Sequence, residues 1–232
     1  MQLSIEQLRV LGSLIEKEIT TPENYPLSLN SLINACNQRS SREPVLDLDE
    51  ESVRQALHAL EDLGLVSSVR DSRVPKYEHR ARTVLNLRRD ETAILCLLIL
   101  RGPQTPGELR SRADRMYAFD DLAAVVATLD RLAGRSAIAE ENQPATGPLT
   151  LLLPRQPGSR EARYAHLLGD PAALQTISSA PPRILSTESG FAPRISDLET
   201  EVVALRGLIH ALEARIAILE TAHDSPPSVP SL

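Results

Sequence analysis

The stretch Thr20–Ser41 reads TTPENYPLSLNSLINACNQRSS. It crowds Pro22, Asn24, Tyr25, Pro26, Asn30, Asn34, Cys36, Asn37 and Gln38 into a short space. Such density marks either an active site or the corner of a small helical domain. Upstream, Leu8, Leu11, Leu14 and Ile15 share one face at helical spacing after Ser4, whose hydroxyl can cap, so a helix is expected from about Ser4 to Glu18. Pro22 and Pro26 fix φ and stop it. Ser28 caps a second, short helix with Leu29, Leu32, Ile33 and Cys36 inward, and Glu43–Pro44 breaks it. Asn30, Asn34, Asn37 and Gln38 then fall off the apolar stripe, where their amides can tie the loop to the helix that follows. No histidine lies near Cys36 in sequence, and no nucleophile–base pair is formed. The stretch reads as a folded corner.

Working outward, the third helix starts at Asp47 or Asp49, turns Val53, Leu57 and Leu60 inward, and closes at Gly64. LVSSVR and KYEHR read as strands around DSRVP. Three helices and a two-stranded hairpin, in that order, make a winged helix. The pattern then returns. ETAILCLLILRG supplies a first helix, with Glu91 in the place of Glu6, both expected at the surface. TPGELRSRAD supplies a second, with Thr105 and Glu108 as a capping box. FDDLAAVVATLDRLAGR supplies a third, in which Val125, Leu129 and Leu132 repeat the spacing of Val53, Leu57 and Leu60. AIAEEN and LTLLLPR are expected to form the second hairpin, and EARYAHLLG a short helical piece packed back on it. The expected class is mainly α with small β wings, an α+β chain of two tandem winged-helix domains followed by a C-terminal coiled-coil helix.

The boundaries follow: a first domain over 1–88, a second over 89–169, a Pro-rich linker over 170–193, a coiled-coil helix over 194–222 and a disordered tail over 223–232. In the coiled coil, Ile195, Leu198, Val202, Leu205, Ile209, Leu212, Ile216 and Leu219 alternate at steps of three and four. Every a position is β-branched and every d position is Leu, the pattern of a parallel two-stranded coiled coil. Glu199, Glu201, Arg206, Glu213, Arg215 and Glu220 flank the seam. Four heptads give ~40 Å of helix. The alternative is one amphipathic helix folded onto the second domain, although such a face is usually wider than a strict a/d seam.

Composition narrows the function. The chain has 232 residues, is 42% hydrophobic and only 3% aromatic, and has no Trp, so its cores are built from aliphatic side chains. Its longest apolar run is far shorter than the ~20 residues a membrane span needs. With no signal core at the N-terminus, a soluble cytoplasmic protein is expected. The two cysteines, Cys36 and Cys96, read as buried free thiols. Scattered histidines and the lack of a CxxC pair offer no metal site, no cofactor-binding pattern is evident, and catalytic residues are expected to be none. The net charge of −6 argues against indiscriminate coating of nucleic acid. Yet from Arg70 to Arg89 seven bases stand against Asp71 and Glu78.

The segment EKEITTPENYPLSLNSLINACNQRSSREPV resembles the signature of the YceH-like family of bacterial proteins of uncharacterised function. GELRSRADRM followed by FDDL, and REARYAHLLG, resemble that family's later blocks. The resemblance covers about residues 3–169. It implies two winged-helix domains, often with a C-terminal coiled coil, and it transfers no catalytic or ligand residue.

Three functions are weighed. DNA binding would set the third helices in the major groove, with Arg54 and Gln55 able to read bases. Arg70, Arg73, Lys76 and Arg80 on the wing, and Arg110, Arg112 and Arg115 around the second helix of the second domain, would meet phosphate. A parallel dimer would present paired modules to a two-fold site. Against this, the third helices are acidic: Glu50, Glu51, Glu61 and Asp62 on one, Asp120 and Asp121 on the other. A protein-interaction scaffold, similar in architecture to winged-helix subunits of chromosome-condensing complexes, fits those acids better. An apolar patch on the third helices would favour it. An enzyme finds no support in any motif, and no small-molecule ligand is evident.

Overall fold

The computed structural model describes residues 1–69, 74–136, 147–156 and 158–170. Among these residues lie seven α-helices and two small antiparallel sheets, a mixed α/β arrangement. Ser4 opens the first helix, α1 (Ile5–Thr20), by accepting from the Gln7 N–H, while the Gln7 side chain accepts from the Ser4 N–H. β1 (Leu27–Ser28) leads into α2 (Leu29–Cys36), capped by Ser28. α2 stops at Cys36, well short of the expected break at Pro44: the Asn37 N–H still closes on the Ile33 carbonyl, but its side chain takes both backbone groups of Leu48 and turns the chain away. α3 (Glu50–Asp62) is capped by Asp49, whose carboxylate accepts from the Ser52 N–H at 2.8 Å. Gly64 follows at φ +68°, a conformation most side chains resist. β2 (Val66–Val69) and β3 (Lys76–His79) pair with Val66 opposite His79, and β1 adds to the far edge with Leu27 opposite Tyr77.

One turn of helix, α4 (Ala81–Val84), connects to α5 (Arg89–Arg101). Then come α6 (Pro106–Ala113), with the expected Thr105–Glu108 capping box, and α7 (Leu122–Ala133), capped by Asp121. The segment Arg160–Gly169 is not helical. It holds a strand, β5 (Tyr164–His166), antiparallel to β4 (Thr150–Leu152). The reason is tertiary: Gln104 and Tyr164 exchange both backbone hydrogen bonds, at 3.0 and 2.8 Å, so this segment is gripped on two sides. Of the expected second hairpin, the AIAEEN half lies outside the described residues. Gln104 stands to β5 and to the cap Thr105 as Leu27 stands to β3 and to the cap Ser28. The order of elements in the first half therefore recurs in the second.

The halves share a core. α5 is buried from Glu91 to Leu100, so the expectation of a surface Glu91 is corrected: the residue is 5% exposed. α1 lies across α5 at Gly12, where an added Cβ would come within 2.8 Å of Leu100. The Cys96 thiol donates to the Gly12 carbonyl at 3.3 Å, and the Leu3 N–H donates to the Leu168 carbonyl at 2.8 Å. Fully buried leucines at 11, 14, 95, 98 and 100 meet at this seam, each contributing ~1.5–3 kcal/mol by burial.

Candidate nucleic-acid interface

The corner Thr20–Ser41 and the loop after it form a polar truss under α3. Arg42 is buried, and its guanidinium donates to both oxygens of Glu16 at 3.1 and 2.6 Å, to the Ala35 carbonyl and to Gln38. Burial alone would raise the Glu16 pKa, but the hydrogen bonds and charge of Arg42, with Lys17 beside it, hold the carboxyl below its ordinary value. Arg9, also buried, donates to the carbonyls of Cys36, at 3.0 Å, and Pro44. Asn37 clamps Leu48, accepting from its N–H and donating to its carbonyl, each at 2.8 Å. These bonds satisfy the backbone of a loop that has no regular structure. Asn37 thus ties α2 to the loop at Leu48 and Gln38 meets Lys17 of α1 and Arg42, so these two amides bond short of the third helix expected for them; the two buried arginines carry no such signal in sequence. Nothing in their local pattern separates them from surface arginines. Cys36 sits inside this truss, and burial pushes its thiol up to about 11.

The base of the hairpin is fixed by a second group. Tyr25 Oη accepts from the His79 N–H at 2.6 Å, and His79 Nε2 lies 2.9 Å from Glu18. Burial pulls His79 below its ordinary value, partly offset by Glu18.

The candidate contacts divide into distinct sets. On α3, Arg54 is exposed but held by Glu50 at 2.6 Å, and Gln55 donates to Glu51 at 2.9 Å. Lys76, half-buried on β3, faces an open groove lined also by Lys17, Ser28, Ser31 and Asn34. Arg80 is exposed directly after β3. Neither Lys76 nor Arg80 has an ion-pair partner among the described residues. Arg70 and Arg73 lie outside the described residues. In the second half, Arg110 donates to the Asp120 carbonyl at 3.0 Å. Arg112 donates to Gln104 at 2.7 Å and lies 3.6 Å from Glu108. Arg115 is exposed. The first two are therefore engaged in holding α6, and only Arg115 is open. The a and d residues Ile195 to Leu219 lie outside the described residues.

One charged cluster escaped the sequence. Arg131 of α7 spans Asp90 and Glu91, and Thr128 donates to Asp90 at 2.9 Å. Glu91 also accepts from the Arg88 N–H at 2.9 Å, a cap whose three-residue spacing was visible. The exposed apolar side chains include Leu122 and Tyr117 beside α7 and Leu63 after α3. No helix among the described residues is long and apolar enough to cross a membrane.

Comparison with known proteins agrees with the motif resemblance. The family model described as "Protein of unknown function, DUF480" matches residues 3–159. A UPF0502 protein of Koribacter versatilis (strain Ellin345) is 54% identical over 201 residues, covering 86% of this chain and 88% of that one. UPF0502 proteins of Hahella chejuensis and Solibacter usitatus are 46% and 47% identical, covering 92% and 88% of this chain and 95% and 93% of theirs. Near-full-length coverage at this identity, joined to a family match over residues 3–159, places the chain in the DUF480/UPF0502 family of uncharacterised bacterial proteins.

Proposed function

We propose that this protein is a non-enzymatic, cytoplasmic, tandem winged-helix protein that binds DNA and self-associates through Ile195–Leu219. The winged-helix reading is supported by the order of elements, met once in each half. The observation that carries DNA binding is the cationic base of the first hairpin. Among the described residues Lys76 and Arg80 have no ion-pair partner, while Arg54 and Gln55 on α3 are occupied by Glu50 and Glu51. That division favours phosphate contact by the wing over base reading by α3. The protein would then bind DNA with modest sequence preference and marked salt dependence.

The test is fluorescence anisotropy of a labelled duplex with the full chain at two salt concentrations. A variant with Arg70, Arg73, Lys76 and Arg80 changed to Ala is measured beside it. The wild type is expected to bind at low salt, weaken with a slope of about −0.9 per phosphate contact in log K against log [salt], and lose most affinity in the variant. No binding at low salt overturns the reading.

A second reading is supported by α7. Its outer positions Leu122, Ala123 and Ala127 are exposed and apolar, behind the acidic cap Asp121. Such a face suits a protein partner better than a phosphate backbone. On that reading the chain is an interaction scaffold, and it leads if the duplex does not bind.

A further inference from the structure

The seam between the two halves carries cations that the hairpin does not. Arg82, Arg88 and Arg89 are exposed around α4 and the turn into α5. That turn is tight. The Leu87 N–H donates to the Arg82 carbonyl at 2.8 Å, so the chain doubles back and sets Arg82 near Arg88. The Asn86 carbonyl, at the same turn, accepts from Arg135 Nη2 at 2.8 Å. A residue 49 positions away, just past the end of α7, thus joins the cluster. Arg135 Nη1 is buried and has no hydrogen-bond partner among the described residues.

The acids that could neutralise this cluster are already occupied. Asp90 and Glu91 follow Arg89 directly, yet Arg131 spans both, Thr128 donates to Asp90, and Glu91 takes the Arg88 N–H. Glu78, on β3, accepts from Ser67 at 2.9 Å. Glu18 is spent on His79, which lies within electrostatic reach of Arg82. None of Arg82, Arg88, Arg89 and Arg135 has an ion-pair partner among the described residues. A local cationic field on a chain of net charge −6 is a feature of placement, not of composition. Guanidinium forks suit phosphate oxygens. These are spread over an exposed turn rather than converging on one point, which fits a row of phosphates and not a single small anion.

We propose that Arg82, Arg88 and Arg89 form a second contact for the phosphate backbone of duplex DNA, at the seam of the two halves and next to Arg80, with Arg135 a positioning residue that holds their turn through the Asn86 carbonyl. This rests on the DNA reading above and extends it from the hairpin to a surface both halves build. The same labelled duplex is titrated, over a range of salt, with the full-length wild type, an Arg82→Gln/Arg88→Gln/Arg89→Gln variant, and Arg135→Gln alone. The three exposed substitutions keep the backbone cap at Arg88, so thermal unfolding is expected to be unchanged. The triple variant is expected to flatten the log K against log [salt] slope by about 2–3, on the basis of ~0.9 per phosphate contact, and Arg135→Gln, which only releases the turn, to lower affinity with a smaller change of slope. Wild-type binding with unaltered affinity and slope in the triple variant would overturn the seam contact and leave the hairpin reading standing. A wild type that fails to bind at low salt overturns both.

Discussion

His166 shows how a single residue ties this fold to pH. It sits on β5 against Gly169, and its Nδ1 is buried without a hydrogen-bond partner among the described residues. Burial pulls its pKa from 6.5 to about 4. The folded state therefore holds the neutral ring, while the unfolded chain binds a proton below pH 6.5. The stability tied to this group is fully present above pH 6.5 and is lost as pH falls toward 4, up to about 3 kcal/mol at ~1.4 kcal/mol per pKa unit. His166→Gln is expected to remove that part of the acid-side slope. Urea midpoints at pH 7 and pH 4.5 check it: the wild type should lose more between the two than the variant, and equal losses would place the effect elsewhere. Arg9 and Arg42 work at the same scale. Their charges sit inside the domain because each guanidinium finds carbonyls or a carboxylate to replace water. No local pattern announces such a partner: Arg42 meets Glu16 from 26 positions away.

At the scale of elements, the helix starts were legible and the second sheet was not. Ser4, Ser28, Asp49 and Thr105 each cap the helix expected of them, because a cap is settled within four residues. The local pattern at β5 suits a helix, and its strand character comes from β4 and Gln104, which are far off in sequence. Glu91 was read as exposed by analogy with Glu6, but α5 is the helix that both halves cover. That covering makes a prediction at the crossing of α1 and α5. An added Cβ on Gly12 would lie 2.8–2.9 Å from Leu100 and Ile99, side chains with little room to move. Gly12→Val is expected to cost ~1–3 kcal/mol through overpacking. Thermal unfolding reads this as a drop of several degrees, at ~2–4 °C per kcal/mol for a chain of this size. An unchanged midpoint would mean that the crossing is looser than its geometry.

At the scale of the whole molecule, the candidate interface is only partly what sequence offered. Arg54, Arg110 and Arg112 looked free in a string of letters, and their neighbours on the same or adjoining helices occupy them. Lys76 and Arg80 have no ion-pair partner among the described residues, and Arg135 holds the Asn86 turn from the other half. Self-association is a matter of pattern alone: a strict a/d seam leaves one face of a helix unburied unless a second copy covers it. Sedimentation of the full chain is expected to give a dimer, and Leu205→Asp/Leu212→Asp a monomer. A wild-type monomer would instead support the helix folded back on its own chain.

Taken alone, the amino-acid sequence determined where α1, α2, α3, α6 and α7 begin, the caps Ser4, Ser28, Asp49 and Thr105, the recurrence of one pattern in two halves, and the three-and-four spacing of apolar residues from Ile195 to Leu219. Each of these follows from residues within a few turns of one another, where propensity, capping and periodicity act. Tertiary structure alone decided that Glu91 is buried, that Tyr164–His166 is a strand, that Arg9 and Arg42 brace a loop, and which arginines keep their charge for a partner. Those outcomes depend on which distant groups meet, and a charge is free or spent according to neighbours that only folding supplies.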